Sequence, residues 1–198
     1  MSAPLLLVRP ASEYLASYTS ALERGWSLGT RGPDTCQEEL SRIAADPSGF
    51  LAEQANIEVR GPPILLPDGS AVPRLPGYSR WLWDGEFCGA IDFRWQPGTT
   101  ALPPHCLGHV GYHVVPWKQS RGYATRALSL FLPEVEGAGL PFVEITTDVG
   151  NVASQRVIEA NGGRLVERFE RPPQFGDGPE GLRYRIFFTR YVKSRSHA

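Results

Sequence analysis

The chain has 198 residues, is 41% hydrophobic and 21% charged, and carries a formal net charge of −1. That length and composition suit one domain with a real core and exclude disorder as the main state. The near-neutral balance excludes a general field for drawing in nucleic acid or an anionic membrane.

The first element is the apolar run Leu5-Leu6-Leu7-Val8. It is too short for the core of a signal peptide and has no basic residue before it, so it reads as a buried strand ending near Arg9. Ser12 is placed to cap a helix on which Leu15, Tyr18 and Leu22 recur at helical spacing until Gly25. Thr35-x-x-Glu38 has the form of a capping box and opens a second helix with Leu40 and Ile43, stopped by Pro47. From Gly61 to Gly77 the chain holds five prolines and little periodicity, which predicts a long loop. Tyr78 to Trp83 and Glu86 to Trp95 are strand runs, and Asp84-Gly85 between them is a hairpin turn. Gly108 to Val115 is a further strand, ended by Pro116.

From Gly122 to about Gly137, Ala124, Ala127, Leu128, Phe131 and Val135 form one helical stripe, in which Pro133 should kink or shorten the helix. Pro141 to Thr147 is a buried strand. Asn151 to Ala160 is a short helix, closed by Asn161-Gly162-Gly163. Two strands follow, near Arg164 to Glu170 and Leu182 to Val192. With no repeat and no break in composition, the chain reads as a single α+β domain over 1–198, with the Pro/Gly-rich loop at 61–77.

The most informative stretch is Val114 to Thr125, where a strand enters a short basic loop that opens a helix at or just before Gly122. The first amides of a helix lack partners within it, and the helix dipole adds partial positive charge there. Such a terminus binds a pyrophosphate. Gly122 and Ala124 are small enough to let phosphate oxygens reach the backbone, and Lys118, Arg121 and Arg126 add positive charge nearby. An ordinary strand-to-helix turn with a solvated basic face has the same local appearance. The loop is neither a Walker A loop, since no GKS or GKT follows, nor a dinucleotide GxGxxG.

Gln119-x-x-Gly122-x-Ala124 resembles the Q/R-x-x-G-x-G/A signature of the GNAT acetyltransferase superfamily. The resemblance continues through FVEITTDVGN and NVASQRVIEANGG, so it spans roughly Gly108 to Gly163, and it is closest to a bacterial group whose substrates are mostly unassigned. It implies a mixed, mostly antiparallel sheet of about seven strands with about four helices, splayed between the fourth and fifth strands. It also implies acetyl-coenzyme A as acyl donor and N-acetylation of an amine, a small molecule or a protein; the cytoplasm is expected separately, from three cysteines, odd in number, that form no CxxC pair. The splay would expose the main chain of Tyr112, His113 and Val114 to the pantetheine arm, with the Val114 amide polarising the thioester carbonyl. Gln119, Ser120, Arg121, Gly122, Tyr123, Ala124 and Thr125 would hold the pyrophosphate. Asn151 stands where the superfamily often places an asparagine against the cofactor arm, with Ser154 one turn on. A plain helix cap is the alternative for Asn151.

The tyrosine that the superfamily uses to protonate the leaving thiolate would fall at Ile158, so that acid is absent. Glu144, on a strand face shared with Thr146 and Asp148, is the leading carboxylate for a base, with an exposed ion pair as its alternative role. His109 has a suitable intrinsic pKa and is the second candidate, with packing at the sheet edge as its alternative. The cysteines Cys36, Cys88 and Cys106 lack a base partner and a CxxC pairing, which disfavours both a thiol-acyl route and a disulfide scaffold.

Three rival readings are weaker. His105, His109 and His113 would make a metal site only on a helix, and Pro103, Pro104, Gly108 and Gly111 oppose one. On a strand His109 and His113 stand on the order of 13 Å apart, so no metal is expected. The aromatics Trp81, Trp83, Phe87, Phe93 and Trp95 alternate as core residues do, and Asp84, Glu86 and Asp92 oppose a nucleic-acid platform. A GNAT fold that binds coenzyme A without transferring the acyl group is the functional alternative. The acceptor pocket is expected between the first two helices, the 61–77 loop and the hairpin aromatics. Homodimers are common among members, but no sequence feature here argues for one.

Overall fold

The computed structural model describes residues 4–26, 33–66, 69–171 and 180–188. A short strand β1 (Leu6–Val8) leads into α1 (Ser12–Glu23), α2 (Pro33–Ala45) and α3 (Pro47–Glu53). A two-residue-a-side hairpin follows, β2 (Ile64–Leu65) with β3 (Ala71–Val72). Then come β4 (Gly77–Trp83), β5 (Phe87–Arg94), β6 (Val110–Val114), a 3-10 turn over Pro116–Lys118, and α4 (Tyr123–Glu136). The chain ends its described part with β7 (Phe142–Asp148), α5 (Val152–Ala160), β8 (Arg164–Glu170) and β9 (Glu180–Phe187).

Two sheets carry the fold: a four-stranded one in the order β1-β4-β5-β6 and a three-stranded one in the order β7-β9-β8, every pairing antiparallel. β6 and β7, each at the edge of its own sheet, are joined through α4. Strand alternation sorts the apolar residues into two cores. Leu82, Ile91, Phe93 and Val110 turn towards Leu128 and Phe131 of α4 and Ile158 of α5. Trp81, Phe87, Ala90 and Val115 turn the other way, towards Tyr18, Leu22, Ile43 and Phe50 of the first three helices.

Several local expectations are corrected. Pro47 does not end the helical region. It occupies the first turn of α3, where a missing N–H costs nothing, and Asp46 caps that helix by accepting from the Gly49 N–H at 2.9 Å. The helices therefore number five rather than four among the described residues. α2 begins at Pro33, so Thr35 lies inside it rather than capping it, and Ser12 is the first residue of α1 after an Ala11 cap. The 61–77 loop contains the β2–β3 hairpin. α4 runs through Pro133: the helix-interior cost of about 3 kcal/mol is offset by fully burying Phe131 and Val135, each worth about 2 kcal/mol. The last strand is Glu180–Phe187, and the expected extension to Val192 lies outside the described residues. No described helix is long and apolar enough to cross a membrane.

Candidate active site

The seam between β6 and β7 is closed at one end and open at the other. At the closed end the His109 N–H donates to the Glu144 carbonyl at 2.8 Å, and His109 Nδ1 accepts from the Glu144 N–H at 3.0 Å. Gly108 lies so close that a Cβ there would stand 3.2 Å from the Glu144 carbonyl oxygen. Beyond this point no ladder joins the strands. On its other edge β6 pairs with β5, and the bonds Arg94 N–H to His109 C=O (2.9 Å) and Val115 N–H to Cys88 C=O (3.0 Å) set the alternation. Gly111 and His113 consequently direct their main-chain groups at β5, whereas Tyr112 and Val114 direct theirs into the open gap. The expectation of a gap-facing main chain at His113 is corrected by this register: its amide belongs to the Ala90 pairing.

The chain then turns through Gln119–Gly122 into α4. Ser120 (φ 60°) and Gly122 (φ 75°) are left-handed, and Arg121 between them is not. Residues of alternating hand turn successive N–H groups inward around an anion. None of the main-chain N–H groups from Ser120 to Thr125 has a partner among the described residues, and no side chain caps α4. A Cβ at Gly122 would meet nothing within 4 Å, so the concavity is open. The Gln119 side chain braces the strand end by donating to the Val114 carbonyl at 3.2 Å, and Arg121 donates to the Trp117 carbonyl at 3.2 Å. Arg121 and Arg126 are exposed, but Lys118 does not add charge here. It is buried, with Nζ at 2.9 Å from Asp84 and 2.5 Å from Glu86.

Across the gap, the Asn151 side chain caps α5, accepting from the Ser154 N–H at 3.0 Å, which is the plain cap that the sequence also allowed. Ser154 Oγ lies 2.8 Å from the Tyr112 hydroxyl, so this pair bridges β6 and α5. Burial pushes the Tyr112 phenol up to about 12, although the bond to Ser154 works the other way. Ile158 is fully buried in the core.

The two residues considered as bases both sit at the closed end. Glu144 is 7% exposed, and its carboxylate is held by Arg183 at 2.8 Å and Arg185 at 2.9 Å. The imidazole of His109 is inaccessible to solvent, burial pushes its pKa down to about 4, and with Nδ1 accepting, its proton resides on Nε2. Asp148, on the same face as Glu144, pairs with Arg171.

His113 differs. Its side chain lies on the face of β6 opposite Tyr112, the face of the first three helices, and it is only half-buried. Asp92, ion-paired to Arg94, fills the space above Gly111 on this face, since a Cβ there would be 3.1 Å from the Asp92 carboxylate. Burial lowers the His113 pKa, Asp92 opposes that and Arg94 adds to it, so the imidazole is neutral at pH 7. Sequence reasoning considered His113 for its main chain and, in the rejected metal reading, as a ligand, but not as a base. The alternation of Val110, Tyr112 and Val114 against Gly111 and His113 was the available signal. Among the described residues no three His, Cys, Asp or Glu side chains gather as a metal-binding group.

Comparison with known proteins agrees with this geometry. Residues 71–164 match the family model described as acetyltransferase (GNAT) domain. Among solved structures, RimJ from Mycobacterium smegmatis in complex with a CoA-disulfide superposes with a TM-score of 0.62 at 17% identity, covering 96% of this chain and 88% of that one. The microcin C7 self-immunity acetyltransferase MccE, in complex with acetyl-CoA and AMP, gives 0.59 at 13% identity over 93% and 92% of the two chains. RimL, a ribosomal L7/L12 α-N-protein acetyltransferase in complex with coenzyme A, gives 0.58 at 14% identity over 94% and 96%. No curated protein matches the chain in sequence.

Proposed function

We propose that the chain, whose residues 71–164 match the acetyltransferase (GNAT) domain model, transfers an acetyl group from acetyl-coenzyme A to a primary amine that attacks the thioester directly in a ternary complex. The observation that carries the cofactor's place is the run of unpartnered amides from Ser120 to Thr125, curled by two left-handed residues into an anion cradle. The pyrophosphate lies there, against Gln119, Ser120, Arg121, Gly122, Tyr123, Ala124 and Thr125. The pantetheine arm runs into the gap past Tyr112, Val114, Asn151 and Ser154. A gap-facing amide of β6, that of Val114 or Tyr112, donates to the carbonyl oxygen as it becomes an oxyanion.

Alternation along β6 divides the proton work between two faces. On the side of the first three helices, the neutral His113 imidazole takes the proton from the attacking amine. We assign that role to His113 rather than to Glu144 or His109, whose groups are engaged at the closed end of the seam. On the other side the Tyr112–Ser154 hydroxyl pair supplies a proton to the departing thiolate, in place of the tyrosine that Ile158 replaces. The acceptor amine belongs to a small molecule or a protein in the cytoplasm, and reaches the site from the side of α1, α2 and the 61–77 segment.

Calorimetry with acetyl-coenzyme A tests the cradle. The variant Gly122→Glu puts a carboxylate beside the diphosphate and should weaken binding by at least about a hundredfold while the far-ultraviolet spectrum stays native. Unchanged affinity would remove the assignment. A second reading, a module that holds coenzyme A without transferring the acetyl group, draws on the buried Ile158 at the acid position. Thiol release across an amine panel decides between them, since a module binds the cofactor and releases no thiol with any acceptor.

A further inference from the structure

We propose that Asp84, in the turn between β4 and β5, is a positioning residue that clamps both ends of the cofactor's diphosphate loop. This rests on the coenzyme A reading of that loop. The Asp84 side chain is 5% exposed. It accepts from Lys118 Nζ at 3.0 and 2.9 Å and from the Tyr123 hydroxyl at 2.6 Å. Lys118 is the last residue of the 3-10 turn before the loop, and Tyr123 is the first residue of α4 after it. One carboxylate, 34 residues earlier in sequence than the first and 39 earlier than the second, therefore ties together the two ends of Gln119–Gly122.

The loop needs such a tie. Ser120 is a non-glycine residue in the left-handed region, a conformation that persists only where the surroundings hold it. The main chain braces the near side through Lys118 N–H to Val115 C=O and Gln119 N–H to Pro116 C=O, and the far side through Arg126 N–H to Gly122 C=O. The Gln119 and Arg121 side chains reach back to Val114 and Trp117, and none of these bonds joins one end of the loop to the other. The Asp84 bond to Tyr123 fixes where α4 begins relative to the hairpin. Burial by itself would raise the Asp84 pKa, but the hydrogen bonds from Tyr123 and Lys118 outweigh it and hold the carboxyl at about 2, so the clamp is ionised throughout the physiological range. Lys118 thereby neutralises Asp84 instead of the phosphates, and the cradle relies on amides and exposed arginines.

The test measures coenzyme A affinity by calorimetry beside amide hydrogen exchange in the unliganded protein. Asp84→Asn should weaken coenzyme A roughly tenfold, which corresponds to about 1.4 kcal/mol. It should speed exchange at Lys118, Gln119 and Arg126, whose bonded N–H groups bracket the loop, while β5 and the middle of α4 keep native protection. Tyr123→Phe removes one arm without stranding a charge, so it serves even where Asp84→Asn folds poorly. Because Tyr123 acts through Asp84, adding Tyr123→Phe to Asp84→Asn should cost nothing more. Native affinity and loop exchange in both single variants, or additive losses in the double variant, would overturn the clamp with the cofactor reading intact. Failure of the wild-type protein to bind coenzyme A would overturn both.

Discussion

The two ends of the β6–β7 seam use similar residues to opposite purposes. At the closed end, His109 substitutes its ring nitrogen for a ladder carbonyl, and Glu144 gathers two guanidinium groups, so charge and hydrogen-bonding capacity are consumed internally. At the open end, Tyr112 and Val114 keep unpaired amides, and His113, four residues from His109, keeps a half-buried imidazole with no hydrogen-bond partner among the described residues. The lesson is that a residue type with suitable intrinsic chemistry says little until its neighbours are known. A histidine whose ring completes a strand pairing is architecture, and one whose ring nitrogens have no partner among the described residues keeps its capacity to take a proton.

The sharpest way to break this contrast is His113→Asn. Loss of a general base should lower kcat/KM by about 10²–10⁴-fold, with coenzyme A affinity and melting temperature unchanged. In the wild-type protein the acid limb of kcat/KM should fall below the ordinary histidine range, because burial lowers the His113 pKa. An unaltered rate in the variant would return the base role to another group.

At the closed end the expected effect is on stability. Glu144→Leu leaves Arg185 without its carboxylate and Arg183 with only Glu167 and the Leu107 carbonyl, and should cost about 3–4 kcal/mol in urea unfolding, as removing one partner of a buried pair does. Molecules that remain folded should turn over at an undiminished rate. A large kcat loss with full stability would move Glu144 into the catalytic group.

The smallest effect sharpens the comparison through pH. His109 has a folded pKa of about 4 against an ordinary value of 6.5, so the unfolded chain takes up the proton first on acidification. The stability linked to this group is fully present above pH 6.5 and is lost as pH falls from there through 4. The loss should total about 3 kcal/mol. His109→Asn should flatten that part of the stability–pH curve. A slope that survives the substitution would assign it elsewhere.

How much could be read in advance follows the range of the interactions. The open start of α4 was legible because its features, Gly122, unpaired first-turn amides and a small residue at Ala124, lie within a few consecutive positions. The β4–β5 hairpin was legible for the same reason, from alternation around Asp84-Gly85. The third helix was missed because Pro47 reads equally as a stop and as a first-turn residue, and only the Asp46 cap decides. The partner of Lys118 was missed because it lies in another turn.

By itself, then, the sequence determined the main strands and helices outside α3 and the β2–β3 hairpin, and the position of the open helix start at Gly122, all set by local geometry and periodicity. Only the tertiary structure decided which histidine is free, which carboxylate is engaged and which lysine is withdrawn from the cofactor. Each of those depends on groups dozens of residues apart meeting in space, and at such separations spacing along the chain carries no information about charge or hydrogen-bond partners.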